Sequence, residues 1–277
     1  MHSLLLQIGP IKLYSYGLCM ALGFLCSWRV AVWLCKYSGR NSDLLTSMMT
    51  WLMLTAIIGA RLAYVIEHWS AEFADDPLSV IRFNQGGLMF YGGFIAASIF
   101  TIIYVKIKKT NLFELSDVIL TVLPLGHSFG RIGCFMHGCC FGKITHSKIG
   151  ICFPKFSPAW WEQSTSNPPL ILDTATQSLP VIPTQLIESA ANLTLFIILF
   201  MLFRKKYQNL GFMTGMYLIS YAIIRFMIEF LRGDPRAEVG SFSISQAISI
   251  GLIAVGIIAL AYSRTHSHTK AAEPQAN

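Results

Sequence analysis

Arginine and glutamate side chains lie inside long apolar segments of this sequence, where charged groups are costly. Such residues usually face the interior of a helix bundle or a polar cavity, and they often mark functional sites. Three arginines are the strongest candidates, namely Arg61, Arg131 and Arg225. A guanidinium presents a fixed fork of donors that matches phosphate oxygens. The pattern therefore predicts a phosphate-binding site within the apolar part of the chain.

One arginine has a carboxylate at helical spacing. Arg225 and Glu229 are four residues apart and would share a helix face. A structural ion pair that joins two helices is the alternative interpretation for these two residues. It weakens when Arg61 and Arg131 are counted, because one glutamate cannot neutralise three arginines. An anionic ligand is the favoured remaining partner.

Cysteines form the second candidate cluster. The chain has seven, so a complete disulfide framework is impossible. The stretch GRIGCFMHGCCFG (130–142) contains Cys134, Cys139 and Cys140, with His137 between them. The C-x4-C-C pattern matches neither the usual zinc spacing nor the C-x-x-C redox spacing, so no metal is predicted. A disulfide, with Cys134 and Cys139 as the favoured pair, and inert thiols both remain open.

The elements that carry these residues are long and apolar. Of 277 residues, 54% are hydrophobic and 13% charged, whereas a soluble domain carries about a quarter charged residues. The apolar blocks are roughly 20 residues long, which matches a bilayer-spanning helix. We predict an all-α integral membrane protein. Its seven transmembrane helices are expected at approximately 14–35, 48–68, 88–107, 113–134, 185–203, 210–231 and 245–263.

Lysine and arginine in the short connections set the predicted orientation. One set of helix ends carries Lys36, Arg40, Lys106, Lys108, Lys109, Arg204, Lys205, Lys206, Arg264 and Lys270. This end should be cytoplasmic, which places the N-terminus outside and the C-terminus inside. Residues 1–264 form the predicted transmembrane domain, 136–184 an outer-face loop region between spans four and five, and 265–277 a disordered cytoplasmic tail. The net charge of +7 then reflects topology, and no nucleic-acid partner is predicted.

With this topology, polar groups from six helices converge near the outer membrane surface. They are Tyr16, Arg61, Tyr91, Arg131, Glu188, Arg225 and Glu229. Arg29 and Asp117 lie toward the inner half, where snorkelling or a local hydrogen bond explains them. Glycines stand beside the polar residues, among them Gly92 and Gly93. They give either room for a ligand or close helix packing.

Six stretches together resemble a known family. They are GPIKLYSYGLCMALGF, GARLAYVI, GGLMFYGGFIAA, GRIGCFMHGCCFG, PTQLIES and RFMIEFLRGDPR. Along nearly its whole length, the chain resembles the bacterial prolipoprotein diacylglyceryl transferases. The resemblance implies a multi-pass protein of the bacterial cytoplasmic (inner) membrane, with its active site toward the outer leaflet. Its expected partners are phosphatidylglycerol, prolipoprotein signal peptides with a lipobox cysteine, and membrane lipids. No cofactor is expected.

The implied reaction moves a diacylglyceryl group from phosphatidylglycerol to the lipobox thiol. A thioether forms and glycerol phosphate leaves. The nucleophile must be a thiolate, and the leaving phosphate must be held and stabilised. The resemblance assigns catalytic roles to Arg131, Arg225, Glu229 and Tyr91. It assigns substrate binding to Arg131, Tyr16, Arg61, Gly92, Gly93, Gly142 and Glu188.

Three positions depart from the family pattern. Tyr91 stands where a histidine is usual, Cys134 replaces a signature asparagine, and Cys139 replaces a signature glutamate. Tyrosine is a poor base at neutral pH unless nearby arginines favour its phenolate. Alternatively, no strong base is needed, because a cysteine thiol is already partly ionised. Two other functions stay open, a relative with an altered lipid or acceptor and a membrane thiol oxidoreductase that uses Cys134, Cys139 and Cys140.

Overall fold

The structure is a computed structural model that describes residues 4–8, 11–74, 76–82, 87–206, 209–235, 238–240 and 242–270. Its eight α-helices in this part of the chain are α1 (Ser15–Tyr37), α2 (Ser42–Glu67), α3 (Phe90–Lys108), α4 (Leu112–His137), α5 (Pro158–Thr165), α6 (Thr184–Lys206), α7 (Phe212–Glu229) and α8 (Ile244–Lys270). All except the short α5 are long and apolar enough to cross a membrane.

The seven predicted spans are confirmed as seven such helices, and the boundaries differ where caps decide them. α2 begins at Ser42, six residues before its predicted start. The Asn41 side chain accepts hydrogen bonds from the backbone N–H groups of Asp43 and Leu44, which begins the helix early. α8 continues to Lys270, so the first six residues of the predicted tail are helical, while 271–277 lie outside the described residues.

The chain divides into two compact units. One contains Met1–Ala31 and Ser116–Asn277, and the other contains Val32–Leu115. Within the second unit, α2 and α3 pack closely through small residues. A Cβ atom on Gly92 would lie 2.5 Å from the Gly59 carbonyl oxygen, and one on Gly93 would lie 2.9 Å from the Ala56 carbonyl oxygen. These glycines therefore allow the two helices to approach each other.

Within the first unit, a buried carboxylate caps one helix from another. Asp117 of α4 is 1% exposed. Its Oδ2 accepts a hydrogen bond from the Gly211 N–H at 2.8 Å, and its Oδ1 accepts from the Thr214 N–H at 2.9 Å. The Thr214 hydroxyl also donates to Oδ1, at 2.7 Å. These are orphan donors of the first turn of α7, so hydrogen bonds from another helix, rather than snorkelling, account for Asp117.

The connection between α4 and α6 has its own small core. Phe141, Phe153, Ala159 and Val181 pack together. Ile144 and Ile151 each form an antiparallel bridge with Val181. The connection is therefore an ordered region with one short helix, α5, rather than a bare loop.

Two antiparallel hairpins were not predicted from the sequence. Strands β1 (Leu4–Ile8) and β2 (Ile11–Tyr14) precede α1 directly. Strands β3 (Glu238–Val239) and β4 (Phe242–Ser243) lie between α7 and α8. Both are too short to give a clear alternating pattern beside the long apolar runs.

Candidate active site

An ion pair joins α4 to α6. Arg131 Nη2 lies 2.9 Å from Glu188 Oε1. Glu188 is 1% exposed, whereas the Arg131 side chain retains 20% of its exposure. The arginine is therefore the partner that a ligand can reach. A guanidinium has five N–H donors, so one bond to Glu188 leaves donors for a phosphate.

A second ion pair lies on α7, as the i, i+4 spacing predicts. Arg225 Nη2 lies 2.9 Å from Glu229 Oε2. The same nitrogen donates a hydrogen bond to the Ser245 hydroxyl at 2.8 Å, which links α7 to the start of α8. Both side chains of the pair are below 10% exposed. Burial makes the pair costly unless its remaining donors and acceptors find partners.

Each arginine of these two ion pairs has a carboxylate of its own, Glu188 for Arg131 and Glu229 for Arg225. The expectation that one glutamate faces three arginines is therefore wrong. Excess positive charge is therefore not a reason to expect an anionic ligand here. Buried polar atoms without a hydrogen-bond partner are a different reason to expect a ligand. Within the part of the chain that the structure describes, these include Arg225 Nη1 and Glu188 Oε2. Such atoms are rare in proteins unless a ligand, ion or water satisfies them.

Sequence reasoning missed two aromatic residues next to these pairs. Tyr221 of α7 lies within electrostatic range of Glu188, Arg131 and Arg225. Its ring stands 5.2 Å from that of His127, which is partly buried in α4. Tyr221 therefore borders both ion pairs. The sequence did contain a signal for Tyr221. It is four residues before Arg225 and would therefore share its helix face.

The cysteines lie where α4 ends and the chain turns back. Gly138 and Cys140 both have positive φ, 84° and 61°. Gln185 Nε2 donates to the Cys139 carbonyl at 2.8 Å, and the Thr184 hydroxyl donates to the Cys140 carbonyl at 2.9 Å. All seven cysteines of the chain are free thiols. The turn brings the sulfurs of Cys134, Cys139 and Cys140 within 4.8 Å of one another, despite the unusual spacing of these residues.

An arginine that the sequence did not assign borders this cysteine cluster. Arg232 is 6% exposed, and Asp234 accepts two hydrogen bonds of 2.7 Å from it. Hydrogen bonds with Cys134 and Cys139, and then the positive charge of Arg232, lower the pKa of the Cys140 thiol. Hydrogen bonds with Cys134 and Cys140 raise the pKa of the Cys139 thiol. The positive charge of Arg232 therefore favours the ionised form of a thiol in this cluster.

Two further predicted residues lie in the same unit. The Tyr16 ring of α1 packs on Gly133, where an added Cβ would stand 3.1 Å from the ring. Gly142 is enclosed by backbone. A Cβ there would lie 2.6 Å from the Ile182 carbonyl oxygen and 2.8 Å from the Leu231 carbonyl oxygen. Only glycine fits at this position without displacing backbone, so Gly142 allows three chain segments to meet here. Its substrate-binding role stays a prediction.

In the other unit, Arg61 is deeply engaged with backbone carbonyls. Its Nε donates to Val80 O at 2.9 Å, its Nη1 to Gly87 O at 3.1 Å, and its Nη2 to Ser79 O at 2.8 Å. The residue is 4% exposed. These bonds tie Arg61 to the backbone of residues 79–80 and of Gly87. A role in binding substrate stays a prediction.

The remaining predicted residues lie at the start of α3. Tyr91 is half-exposed, and Gly92 and Gly93 face α2. The packing role of these glycines is visible in their short approach to α2. The proposed base role of Tyr91 and the ligand role of the glycines stay predictions.

Comparison with known proteins adds a family to this geometry. The sequence profile of a family described as prolipoprotein diacylglyceryl transferase matches residues 3–262. The phosphatidylglycerol–prolipoprotein diacylglyceryl transferase 2 of Clostridium perfringens is 33% identical, over 93% of this chain and 94% of that protein. The chain belongs to the prolipoprotein diacylglyceryl transferase family.

Other members of the prolipoprotein diacylglyceryl transferase family match over similar lengths. The phosphatidylglycerol–prolipoprotein diacylglyceryl transferase of Nostoc sp. is 32% identical over 93% of this chain and 88% of that protein. That of Vibrio atlanticus is 28% identical over 98% of this chain and 94% of that protein. The family resemblance is confirmed along almost the whole chain. Together with the seven apolar helices, it supports a multi-pass membrane protein and favours a transferase over the thiol oxidoreductase.

Proposed function

We propose that the protein transfers the diacylglyceryl group of phosphatidylglycerol to the lipobox cysteine thiol of a prolipoprotein. A thioether forms, and glycerol phosphate leaves. The observation that carries this proposal is the pair of guanidiniums of Arg131 and Arg225 in a chain whose relatives are named for this reaction. Each is held by a glutamate, and Arg225 keeps one buried donor without a partner in the described structure.

The arginines are suited to the leaving group. As the bond between carbon and phosphate oxygen breaks, the phosphate gains negative charge. Fixed guanidinium donors stabilise that charge without reorganising, which lowers the barrier to reaction. Glu188 and Glu229 hold the two guanidiniums in place. The conformational entropy of these arginine side chains is therefore lost before substrate binds. Arg131 and Arg225 are therefore assigned to the phosphate.

The other site residues are assigned supporting roles. Tyr16 would donate a hydrogen bond to an oxygen of the lipid headgroup, and Gly142 closes the turn that holds the cysteine cluster. Arg61, Gly92 and Gly93 are proposed as substrate-binding residues. Tyr91 is proposed to assist removal of the thiol proton.

The proposal includes an orientation. Basic residues concentrated at one set of helix ends support a cytoplasmic C-terminus and an outer N-terminus. The active site would then face the outer leaflet of the bacterial cytoplasmic membrane, and residues 136–184 would lie on the outer face. The lipid would enter sideways from the bilayer, and the signal peptide of the prolipoprotein would present its cysteine at headgroup depth.

A transfer assay tests the proposal. The full chain in detergent is mixed with phosphatidylglycerol and a lipobox peptide, and mass spectrometry measures the thioether product. Arg131→Ala and Arg225→Ala should each lower kcat by about 100- to 1,000-fold, the usual effect of losing one charge-stabilising donor group. Arg264→Ala, at an exposed position of α8, is the matched control and should keep the full rate.

Two results would count against the proposal. If the folded wild-type protein forms no thioether from phosphatidylglycerol, the assigned reaction is wrong. If both arginine variants transfer at the rate of Arg264→Ala, the reaction stands but the phosphate role of these residues is wrong.

A further inference from the structure

Three thiols are close enough to share one metal ion. The sulfurs of Cys134, Cys139 and Cys140 lie within 4.8 Å of one another. Two thiolates on one tetrahedral zinc ion, with zinc–sulfur bonds of about 2.3 Å, stand about 3.8 Å apart. Side-chain shifts of about 1 Å would therefore complete the coordination. The three residues are partly buried, so an ion can reach them.

The backbone holds the cluster in this arrangement. Cys140 has a left-handed conformation, which residues other than glycine keep only when their surroundings enforce it. Here the enforcing contacts are the hydrogen bonds from Thr184 to the Cys140 carbonyl and from Gln185 to the Cys139 carbonyl. The thiols are thus placed together by the fold rather than by chance side-chain positions.

Positive charge beside the cluster suits an anionic metal complex. Three thiolates and one divalent zinc ion carry a net charge of −1. The Arg232 guanidinium lies within electrostatic range of Cys140, and Arg131 lies within electrostatic range of Cys134 and Cys140. A neighbouring cation favours the thiolate form of a cysteine ligand. Arg232, itself fixed by Asp234, supplies that positive charge.

The number of protein ligands decides the kind of site. Within the described residues, no fourth His, Cys, Asp or Glu side chain shares this range of distances. Structural zinc sites have four protein ligands, whereas catalytic zinc sites have three and leave one position for water or substrate. We propose that Cys134, Cys139 and Cys140 bind one zinc ion, and that its fourth position takes the acceptor thiol. The second half of this inference rests on the proposed transferase function.

The chemistry of such a site matches that reaction. The acceptor thiol binds zinc and gives its proton to zinc-bound hydroxide, which leaves as water. The metal-bound sulfur is then a thiolate. Its electron pair forms the bond to the terminal glycerol carbon of the diacylglyceryl group. The bond between that carbon and the phosphate oxygen breaks, and its electron pair leaves with glycerol phosphate.

The position of the cluster fits this role. Cys134 follows Arg131 by one helical turn on α4, and Tyr16 lies within electrostatic range of Arg131 and of all three thiols. A thiolate on the metal would stand next to the arginine assigned to the phosphate. Zinc would also remove the need for a strong base, which Tyr91 is poorly suited to supply. The spacing of the cysteines had argued against a metal, and the turn at 138–140 removes that objection.

Metal analysis tests the site without reference to activity. The full chain is purified in detergent under reducing conditions, from zinc-supplemented cells and without chelators. Wild type and the control variant Cys152→Ser should contain about one zinc ion per chain. Cys134→Ser, Cys139→Ser and Cys140→Ser should each lose most of it. Cobalt added to the chelated wild type should give a thiolate-to-cobalt charge-transfer band, a readout that does not depend on any variant folding.

Three outcomes would overturn the metal site. They are a wild-type protein that neither contains nor takes up zinc, zinc content unchanged in all three serine variants, and an intact mass two hydrogens lower with a matching loss of free thiols. The last would show a disulfide in the cluster instead.

The fourth position is tested separately. Addition of a lipobox peptide should shift the cobalt spectrum, whereas a peptide with serine for cysteine should not. Because a thiol with a pKa of 8.5 is about 3% ionised at pH 7, removal of zinc should lower transfer by up to about 30-fold. Zinc, but not magnesium, should restore the rate.

The results separate this inference from the proposed function. Bound zinc with an unchanged cobalt spectrum and an unchanged rate after chelation would overturn the role of the fourth position. Bound zinc and a peptide-dependent spectrum without any thioether product would support the site and refute the transferase reaction.

Discussion

Asp117 provides a sharp test of how the first unit is held together. We predict that Asp117→Ala lowers the free energy of unfolding by about 2–6 kcal/mol. The carboxylate accepts bonds from the Gly211 and Thr214 N–H groups, and both amides lose their partner when it is removed. Each buried unsatisfied group costs about 1–3 kcal/mol. The Thr214 hydroxyl adds little, because Ser116 lies 2.9 Å away and can accept its hydrogen bond instead.

A conservative variant refines the magnitude. Asp117→Asn keeps one acceptor oxygen, which can serve only one of the two amides. The loss should then be about 1–3 kcal/mol, the cost of one unsatisfied N–H. The matched control is Asp43→Asn, an exposed carboxylate in the first turn of α2. Its interaction with the helix dipole is worth about 0.3–1 kcal/mol.

Reversible unfolding in detergent, followed by circular dichroism, measures all three variants. A loss for Asp117→Ala no larger than that for Asp43→Asn would refute the assignment of Asp117 as the cap of α7. Transfer activity of the folded Asp117→Asn variant should stay near that of wild type, because the carboxylate caps a helix and is not assigned to the substrate.

Two further predictions concern other elements of the fold. Gly142→Ala should destabilise the protein, because its Cβ would meet the Ile182 carbonyl oxygen at 2.6 Å. The control Gly251→Ala, with nothing within 4 Å of its Cβ, should be neutral or stabilising by up to about 1 kcal/mol in the same unfolding measurement. Equal losses of stability would show that close packing at Gly142 does not matter. Arg61→Lys should increase limited proteolysis at residues 79–82, since a lysine ammonium cannot reproduce the forked bonds to three carbonyls. Arg82→Lys, at a half-exposed ion pair, is its control, and matching cleavage rates would show that the bonds of Arg61 do not protect this segment.

Some of this structure follows directly from local sequence. The seven spans were predictable because hydropathy and length are properties of a continuous segment. The Arg225–Glu229 pair was predictable because residues four apart share a helix face. The early start of α2 was missed because one side chain, Asn41, outweighs the weak hydropathy of the residues that follow it.

Contacts between distant segments could not be obtained in this way. The bond between Arg131 and Glu188 depends on how α4 faces α6, and the cap of α7 depends on Asp117, some 94 residues earlier in the chain. The cysteine cluster was missed for a related reason. The cysteine spacings of known zinc and redox motifs assume common turn conformations. Cys140 instead adopts a left-handed conformation that its residue type does not suggest.

The turn around Gly142 has a consequence for biosynthesis. Its N–H bonds to Ile182, and it bridges to Arg232, which is about 90 residues further along the chain. At about 5–20 residues per second, the ribosome needs roughly 5–20 s to make that stretch. For about the first 40 residues of that stretch the turn lacks both neighbouring segments, and until Arg232 is made it lacks the second. The nascent chain thus exposes its thiols before the site exists, and assembly of the site waits for α7 to enter the bilayer.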